Sequence, residues 1–410
     1  MDDIIQLLPK MKMGEELMDA LSVFPTYDPS ICCQCQSDRL IALSALYDIY
    51  IPSSMSVEVY SKMYLAVLHS LRKKGSKGIV AQYNENHRAI LGQSHNGIIG
   101  GSDSFTIIGE SGIGKSSAVN RAIALISENG LIETQSPYTT IIPCVVVQCP
   151  FDCSVKGLLL EILRKVDETI GSDYYTKSLK IRTTTDMLIG CVSQVAINHI
   201  GLLVVDEIQN VVNSNHGYSL VAMLTQLINN SGISICMVGT PQSTVFFEQA
   251  MQLARRSLGL QYHALPYGDD FCDFCRMMFT YQYTIERTEL TDAIVRWLYE
   301  HSGGVVSVVV SLLHDAQEIA ILNGTEKLNL AMLEEAYQRR LTLLHPYIAP
   351  SIKRGKQTST LPKEKRPAVK SIPTADNTVY LSEIIVKAKD GGADVVEVLK
   401  ENITIEEIRI

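Results

Sequence analysis

The chain has 410 residues, of which 46% are hydrophobic and 20% charged, so it has ample apolar material for packed cores, and disorder over most of its length is excluded. Its length fits two or three domains of about 100–200 residues each. Lys and Arg total 36 against 44 Asp and Glu, a net charge of −8, which excludes a bulk polycation and confines any nucleic-acid contact to a local patch.

The N-terminus, Met1-Asp2-Asp3-Ile4, is acidic and lacks the basic and apolar regions of a leader. No segment reaches the roughly 18 apolar residues of a bilayer span; the longest apolar stretch, Val305 to Leu313, is broken by serines. A cytoplasmic protein with no membrane partner is expected. Residues 1–78 read as a helical N-terminal extension. Ile4, Leu7, Leu8 and Met11 recur at helical spacing, as do Leu40, Leu43, Leu46 and Tyr47, with Pro25, Pro29 and Pro52 as punctuation. Arg72, Lys73, Lys74 and Lys77 close the region as a solvated helix end or a phosphate-contacting patch.

Within residues 79–285 short β-branched strands alternate with amphipathic helices. Strands are predicted at Ser104–Ile108, Thr140–Val147, Leu202–Val205 and Ile233–Val238, and helices at Ser116–Ile126, Val155–Ile170, Thr185–Ile200 and Leu220–Ile228. This alternation implies a parallel sheet covered by helices on both faces. Residues 286–346 turn helical, with Thr291–His301, Val305–Leu322 and Leu330–Leu343 forming a small lid broken at Gly303-Gly304 and Asn323-Gly324. Residues 347–410 start with a basic linker (Lys353, Arg354, Lys356, Lys363, Lys365, Arg366 and Lys370 against Glu364) and end in an acidic, partly apolar tail.

The ten cysteines read as reduced packing groups. Cys32, Cys33 and Cys35 together with the lone Cys272-x-x-Cys275 could alternatively offer thiolates to zinc, but a single CxxC is a weak metal signature.

Gly109-Glu110-Ser111-Gly112-Ile113-Gly114-Lys115-Ser116 fits GxxxxGK[ST], between a predicted strand and an amphipathic helix that starts with Ser116 and Ser117. The glycines let backbone N–H groups turn inward onto phosphate oxygens, and the helix directs its positive end at the same anions. Lys115 is the ligand for β- and γ-phosphates, and Ser116 offers a hydroxyl to Mg²⁺. Leu202-Leu203-Val204-Val205-Asp206-Glu207 is a buried strand ending in two acids. Such a pair is costly without a compensating cation or hydrogen bonds; Asp206 would hold Mg²⁺ and Glu207 would orient the attacking water. Thr240, after the strand Ile233–Val238, is placed to sense a γ-phosphate. In Leu253-Ala254-Arg255-Arg256-Ser257, either Arg255 or Arg256 can serve a neighbouring subunit's phosphate.

This ordered set (GESGIGKS, LLVVDE, VGT, ARRS, then a helical lid) resembles the AAA+ ATPases. More narrowly, Val147 to Leu158, Asp206-Glu207-Ile208-Gln209-Asn210 and Gly239-Thr240-Pro241 resemble the TnsC/TniB regulators of target-selecting transposons, over roughly residues 80–345. The resemblance implies an α/β AAA+ P-loop NTPase with a parallel sheet, a small helical lid, a helical N-terminal extension and a flexible C-terminal tail. It implies ATP and Mg²⁺ as cofactors, and hydrolysis to ADP and phosphate. It further implies rings or filaments of the chain around double-stranded DNA, which recruit a transposase and a target selector until hydrolysis releases them. Lys115, Ser116, Asp206, Glu207 and Thr240 match the family's nucleotide residues, with Arg255 or Arg256 as the finger in trans. One departure is in the lid, where many AAA+ proteins have an arginine three residues after a glycine and this chain has Gly304 followed by Val305, Val306 and Ser307.

For DNA contact the candidates are Lys156, Lys177, Lys180, Arg182 and Thr183, in or near connections that could face a ring's pore. No base-reading module is visible, so sequence-nonspecific binding is expected. A replication-initiator or helicase-loader ATPase is the alternative of related architecture; it would carry a winged-helix module and a lid arginine. A nucleotide-switched protein adaptor with little turnover is the alternative of another class.

Overall fold

The run Ile200-Gly201-Leu202-Leu203-Val204-Val205 has no polar side chain, and every residue in it is buried. Only a strand covered on both faces accommodates such a run. In the computed structural model, which describes residues 6–74, 78–91, 93, 104–135, 138–180, 184–213, 217–244 and 258–341, it lies near the middle of a six-stranded sheet. The strands are β1 (Phe105–Gly109), β2 (Ile132–Gln135), β3 (Tyr138–Gln148), β4 (Ile200–Asp206), β5 (Ser234–Gly239) and β6 (Leu258–Tyr262), in the order β2-β3-β4-β5-β1-β6. Only the β2–β3 pair is antiparallel. Ile108 pairs with Gly239, Val205 with Met237 and Gln148 with Asp206, so the carboxyl ends of β1, β5, β4 and β3 open on one edge. β5 lies between the glycine-rich strand and the acid-bearing strand.

Side-chain alternation along the strands builds two cores. Leu202 and Val204 face one with α3 (Ser54–Lys74) and α5 (Lys115–Ile126); Leu203 and Val205 face the other with α6 (Val155–Ile170), α8 (Thr185–His199) and α9 (Gly217–Ser231). Each fully buried Leu or Val contributes about 1.5–3 kcal/mol. Caps fix the helix ends: Gly157 N donates to Ser154 Oγ at 3.1 Å at the start of α6, and Gly171 (φ 70°) ends it.

A third core forms the lid, from α10 (Asp269–Met278), α11 (Asp292–Ser302), α12 (Val306–Leu322) and α13 (Leu330–Arg340). The predicted lid helices match α11, α12 and α13 closely. No single described helix is long and apolar enough to cross a membrane; α11 and α12 pass that test only as a pair bent by 119°, and their apolar residues fill the lid core.

The N-terminal region departs from a continuous run of helix. Residues 9–13 are irregular where Pro9 interrupts the apolar spacing. Helical segments follow at α1 (Gly14–Leu21) and α2 (Gln36–Leu43), with short 3₁₀ turns at Pro29–Cys33 and Ser44–Asp48. Leu17, Leu21 and α3 pack on the sheet, whereas Leu43 and Leu46 are part of the lid core. Arg39 anchors that second attachment. Its guanidinium donates to both carboxylate oxygens of Glu326, at 2.5 and 2.7 Å, and to the Tyr283 carbonyl at 3.2 Å. Elements outside the predicted alternation are α4 (Gly78–Ile90), α7 (Tyr174–Lys180), α10, β2 and β6.

Lys74 fits neither expectation for the basic cluster. It turns its ammonium inward onto the carbonyls of Ala196, at 2.6 Å, and Ile197, satisfying the end of α8, and burial pushes its pKa down to about 7. The ten cysteines are free thiols, and burial raises Cys144 to about 12. Among the described residues, the Cys32–Cys35 and Cys272–Cys275 sulfurs do not gather into a ligand cluster. The basic linker and tail after Pro346, and Lys77, Arg182, Thr183, Arg255 and Arg256, lie outside the described residues.

The Arg39–Glu326 pair yields a stability prediction. Glu326→Ala leaves a cation whose side chain is 4% exposed without its partner, at an expected cost of about 3–5 kcal/mol in chemical denaturation; the apolar double variant Arg39→Met/Glu326→Leu should cost much less. The Arg39 hydrogen bonds hold the Glu326 carboxyl below its ordinary range. Its contribution is therefore present above the unfolded carboxylate pKa and is lost as pH falls through the folded one. The wild-type melting temperature should drop more on acidification than that of the double variant, and parallel curves would refute this.

Candidate functional site

Three strand ends converge on the open edge of the sheet, forming a cavity of about 260 Å³. β1 delivers the loop Gly109–Gly114. Gly112 and Gly114 take φ of 83° and 95°, a region that side-chain-bearing residues disfavour. A Cβ on Gly109 would lie 2.6 Å from Ile113 Cδ1 and 2.7 Å from the Tyr262 carbonyl, so β6 and the loop admit only glycine there. With this curvature the loop feeds directly into α5, whose N-terminal end faces the cavity.

Lys115 is buried at the first position of α5. Its Nζ donates to the carbonyls of Gly109 at 2.8 Å and Glu110 at 2.7 Å, leaving one of three ammonium donors for a ligand. Burial lowers its pKa, while Asp206, Glu207 and Glu110 raise it. Ser116 Oγ donates to Asp206 Oδ2 at 3.1 Å. A hydroxyl beside a carboxylate is a hard-oxygen donor pair suited to Mg²⁺. Ser111 and Ser117 line the same cavity, whereas the exposed Glu110 turns away to accept from Ala264 N at 3.4 Å.

The segment Asp206–Asn210 is tied residue by residue. Asp206 Oδ1 accepts from Glu207 N at 2.8 Å, and its carbonyl from Cys149 N at 2.8 Å. Ile208 is fully buried. Gln209 Nε2 donates to Glu207 Oε2, and Asn210 Nδ2 donates to the Cys149 carbonyl at 2.9 Å. Glu207 itself has a left-handed backbone, φ 58°, and lines the cavity. From β5, Thr240 contributes a buried hydroxyl with no hydrogen-bond partner. Such an orphan group suits a polar ligand.

Ser307 closes the cavity from the lid side. Its N–H donates to the Gly112 carbonyl at 3.0 Å, and a Cβ on Gly112 would collide with its side chain. Ser307 stands three residues after Gly304, at the position where the resemblance expects an arginine. The lid therefore reaches the glycine loop through an amide and a hydroxyl. Neither Ser307 nor Gln209 is a candidate on sequence grounds, although Gln209 stands inside the Asp206–Asn210 segment that carries the resemblance.

Lys115, Ser116, Asp206, Glu207 and Thr240 thus share one cavity with Gly112, Gly114, Ser111 and Ser117. Of the expected DNA contacts, Lys156 is exposed in the first turn of α6 and Lys180 at the end of α7; Lys177 is paired with Asp173 at 2.7 Å.

Residues 100–263 match the family model of the bacterial TniB protein. This segment of the chain is similar to the TniB family. The matched segment contains β1 to β6 and every one of those cavity residues; the lid's Ser307 lies outside it. A comparison with curated proteins finds no match. Among solved structures, the Aeropyrum pernix ORC1 protein in complex with DNA is 16% identical, with a TM-score of 0.41, covering 63% of this chain and 64% of that one. Drosophila ORC bound to DNA is 12% identical, with a TM-score of 0.45, covering 98% of this chain and 86% of that one. This chain thus spans slightly less than two thirds of the Aeropyrum protein.

Gly112→Ala is the direct test of the glycine loop's geometry. Its positive φ alone should cost about 1–2 kcal/mol, and the clash with Ser307 should weaken nucleotide affinity further. Combining it with Ser307→Gly should recover part of the affinity and none of the conformational cost, read by titration with fluorescent nucleotide and by thermal melting. Equal affinity for wild type and Gly112→Ala would refute the packing described.

Proposed function

We propose that this protein is an ATP-hydrolysing, DNA-binding AAA+ regulator of transposition. The observation that carries the enzymatic part is the convergence of Lys115, Ser116, Asp206, Glu207 and Thr240 on one cavity. Backbone N–H groups of Ser111–Lys115 and the Lys115 ammonium bind the triphosphate. Ser116 and Asp206 would hold Mg²⁺, which when bound offsets charge on the phosphate oxygens. Glu207 orients the attacking water towards the terminal phosphorus, and Thr240 reports the presence of the γ-phosphate to β5. Arg255 or Arg256 of a neighbouring copy would complete the charge balance, as a guanidinium in trans does in phosphoryl transfer.

The transposition role rests on the TniB match. On this reading ATP-bound copies assemble as rings or filaments on duplex DNA without sequence preference, and link a target selector to a transposase; hydrolysis releases them. The exposed Lys156 and Lys180, together with Arg182, are the proposed phosphate contacts.

Two predictions separate the parts. Lys115→Ala should abolish ATP binding. Glu207→Gln should keep it but lower kcat by about 10²–10⁴-fold, leaving long-lived filaments on DNA visible by electron microscopy; full turnover in Glu207→Gln would refute its role. For DNA, Lys156→Ala and Lys180→Ala should weaken binding to all sequences alike. Each should reduce the slope of log K against log salt by about 0.9, and an unchanged slope would remove that lysine from the interface.

A further inference from the structure

Gln209 lines the same cavity and has no task in the chemistry proposed above. It is held in place by its neighbours: Ile208 is buried in the core, and Asn210 is hydrogen-bonded to the Cys149 carbonyl at 2.9 Å. Its side chain then does two separate things. Nε2 donates to Glu207 Oε2. Oε1 is buried without a hydrogen-bond partner and lies against the end of β5, where a Cβ on Gly239 would come within 3.1 Å of it.

Glu207 needs such a neighbour. Its φ of 58° is a conformation that non-glycine residues keep only where the surroundings impose it. The carboxylate is also exposed to solvent, and among the described residues the Gln209 amide is its one side-chain hydrogen-bond partner. A carboxylate has two oxygens; with Oε2 engaged by the Gln209 amide, Oε1 is the one left for a water.

We infer that Gln209 is the positioning residue of the hydrolytic reaction: its amide holds one oxygen of Glu207 so that the other faces the site of water attack. This rests on the reading of Glu207 as the water-orienting carboxylate. Gln209 touches neither nucleotide nor water in this scheme and takes no proton. Its buried carbonyl, together with the unpaired Thr240 hydroxyl in the same wall, makes a polar strip from Glu207 to the end of β5.

The test is steady-state hydrolysis of Mg-ATP by the full chain, with nucleotide affinity measured in parallel. Gln209→Leu removes the donor, and Gln209→Glu keeps the size but replaces the donor with a repelling carboxylate. Both should lower kcat by about 10²-fold, the loss typical of a displaced catalytic group, with Gln209→Glu at least as slow and with KM little changed. In a Glu207→Gln background, Gln209→Leu should cause no further loss, because the group it positions is already gone. Gln209→Asn, which keeps an amide of shorter reach, should retain more activity than Gln209→Leu and guards against simple misfolding. Wild-type kcat in both Gln209→Leu and Gln209→Glu, or fully additive losses with Glu207→Gln, would overturn the role of Gln209 alone. Full turnover in Glu207→Gln would overturn both this inference and the reading beneath it.

Discussion

The hydrogen bond from Ser116 Oγ to Asp206 Oδ2, 3.1 Å long, joins two elements that are not neighbours in the sheet. Ser116 begins the helix after β1, and Asp206 ends β4, with β5 between them. Parallel pairing makes that distance short: Ile108 pairs with Gly239, and Val205 pairs with Met237 just before it on β5, so all three chain ends leave the sheet close together on one edge. Slipping any of these strands by one residue would exchange its two buried faces. Because Leu202 and Val204 belong to one core and Leu203 and Val205 to the other, the packing of the strands and the geometry of the cavity are fixed by the same constraint.

The lid is tied to this edge from two sides. Ser307 meets the glycine loop at Gly112, and Leu265 N donates to the Gly304 carbonyl at 3.1 Å. On the far side, residues around Leu43 and Leu46 complete the lid core while Leu17, Leu21 and α3 belong to the sheet. The N-terminal stretch is therefore a strap between lid and sheet, held at its lid end by Arg39 and Glu326. A change at the glycine loop acts on Ser307 directly, whereas movement of the lid must also work against the strap. Such coupling is the physical requirement for a nucleotide to alter the shape of a protein: differential contacts in the alternative arrangements.

Much of this was legible in local sequence. The glycine loop, the acid pair and the strand before Thr240 each have a short pattern with one physical reading, and the lid helices follow from periodicity bounded by glycines. What escaped was set by partners far away in the chain. β6 is five residues, Leu258–Tyr262, with its place determined by pairing with β1. Arg39 looks like an ordinary helix charge until Glu326, 287 residues on, is beside it. Lys74 reads as a solvated or phosphate-contacting charge because its acceptors, the carbonyls of Ala196 and Ile197, have no signature in side-chain sequence. Ser307 is legible only as a missing arginine.

The acid pair shows how one segment separates two duties. Asp206 and Glu207 are adjacent and chemically alike, yet their surroundings differ. Asp206 still has strand geometry and faces Ser116 and its own neighbour's N–H, which suits a fixed ligand. Glu207 leaves the strand with φ 58°, which turns its side chain out of the sheet's alternation and towards Gln209. A second residue in strand geometry would have pointed to the opposite face, away from the cavity. The left-handed turn is what lets two consecutive carboxylates serve the same cavity, and the ties made by Ile208, Gln209 and Asn210 are what keep that turn in place.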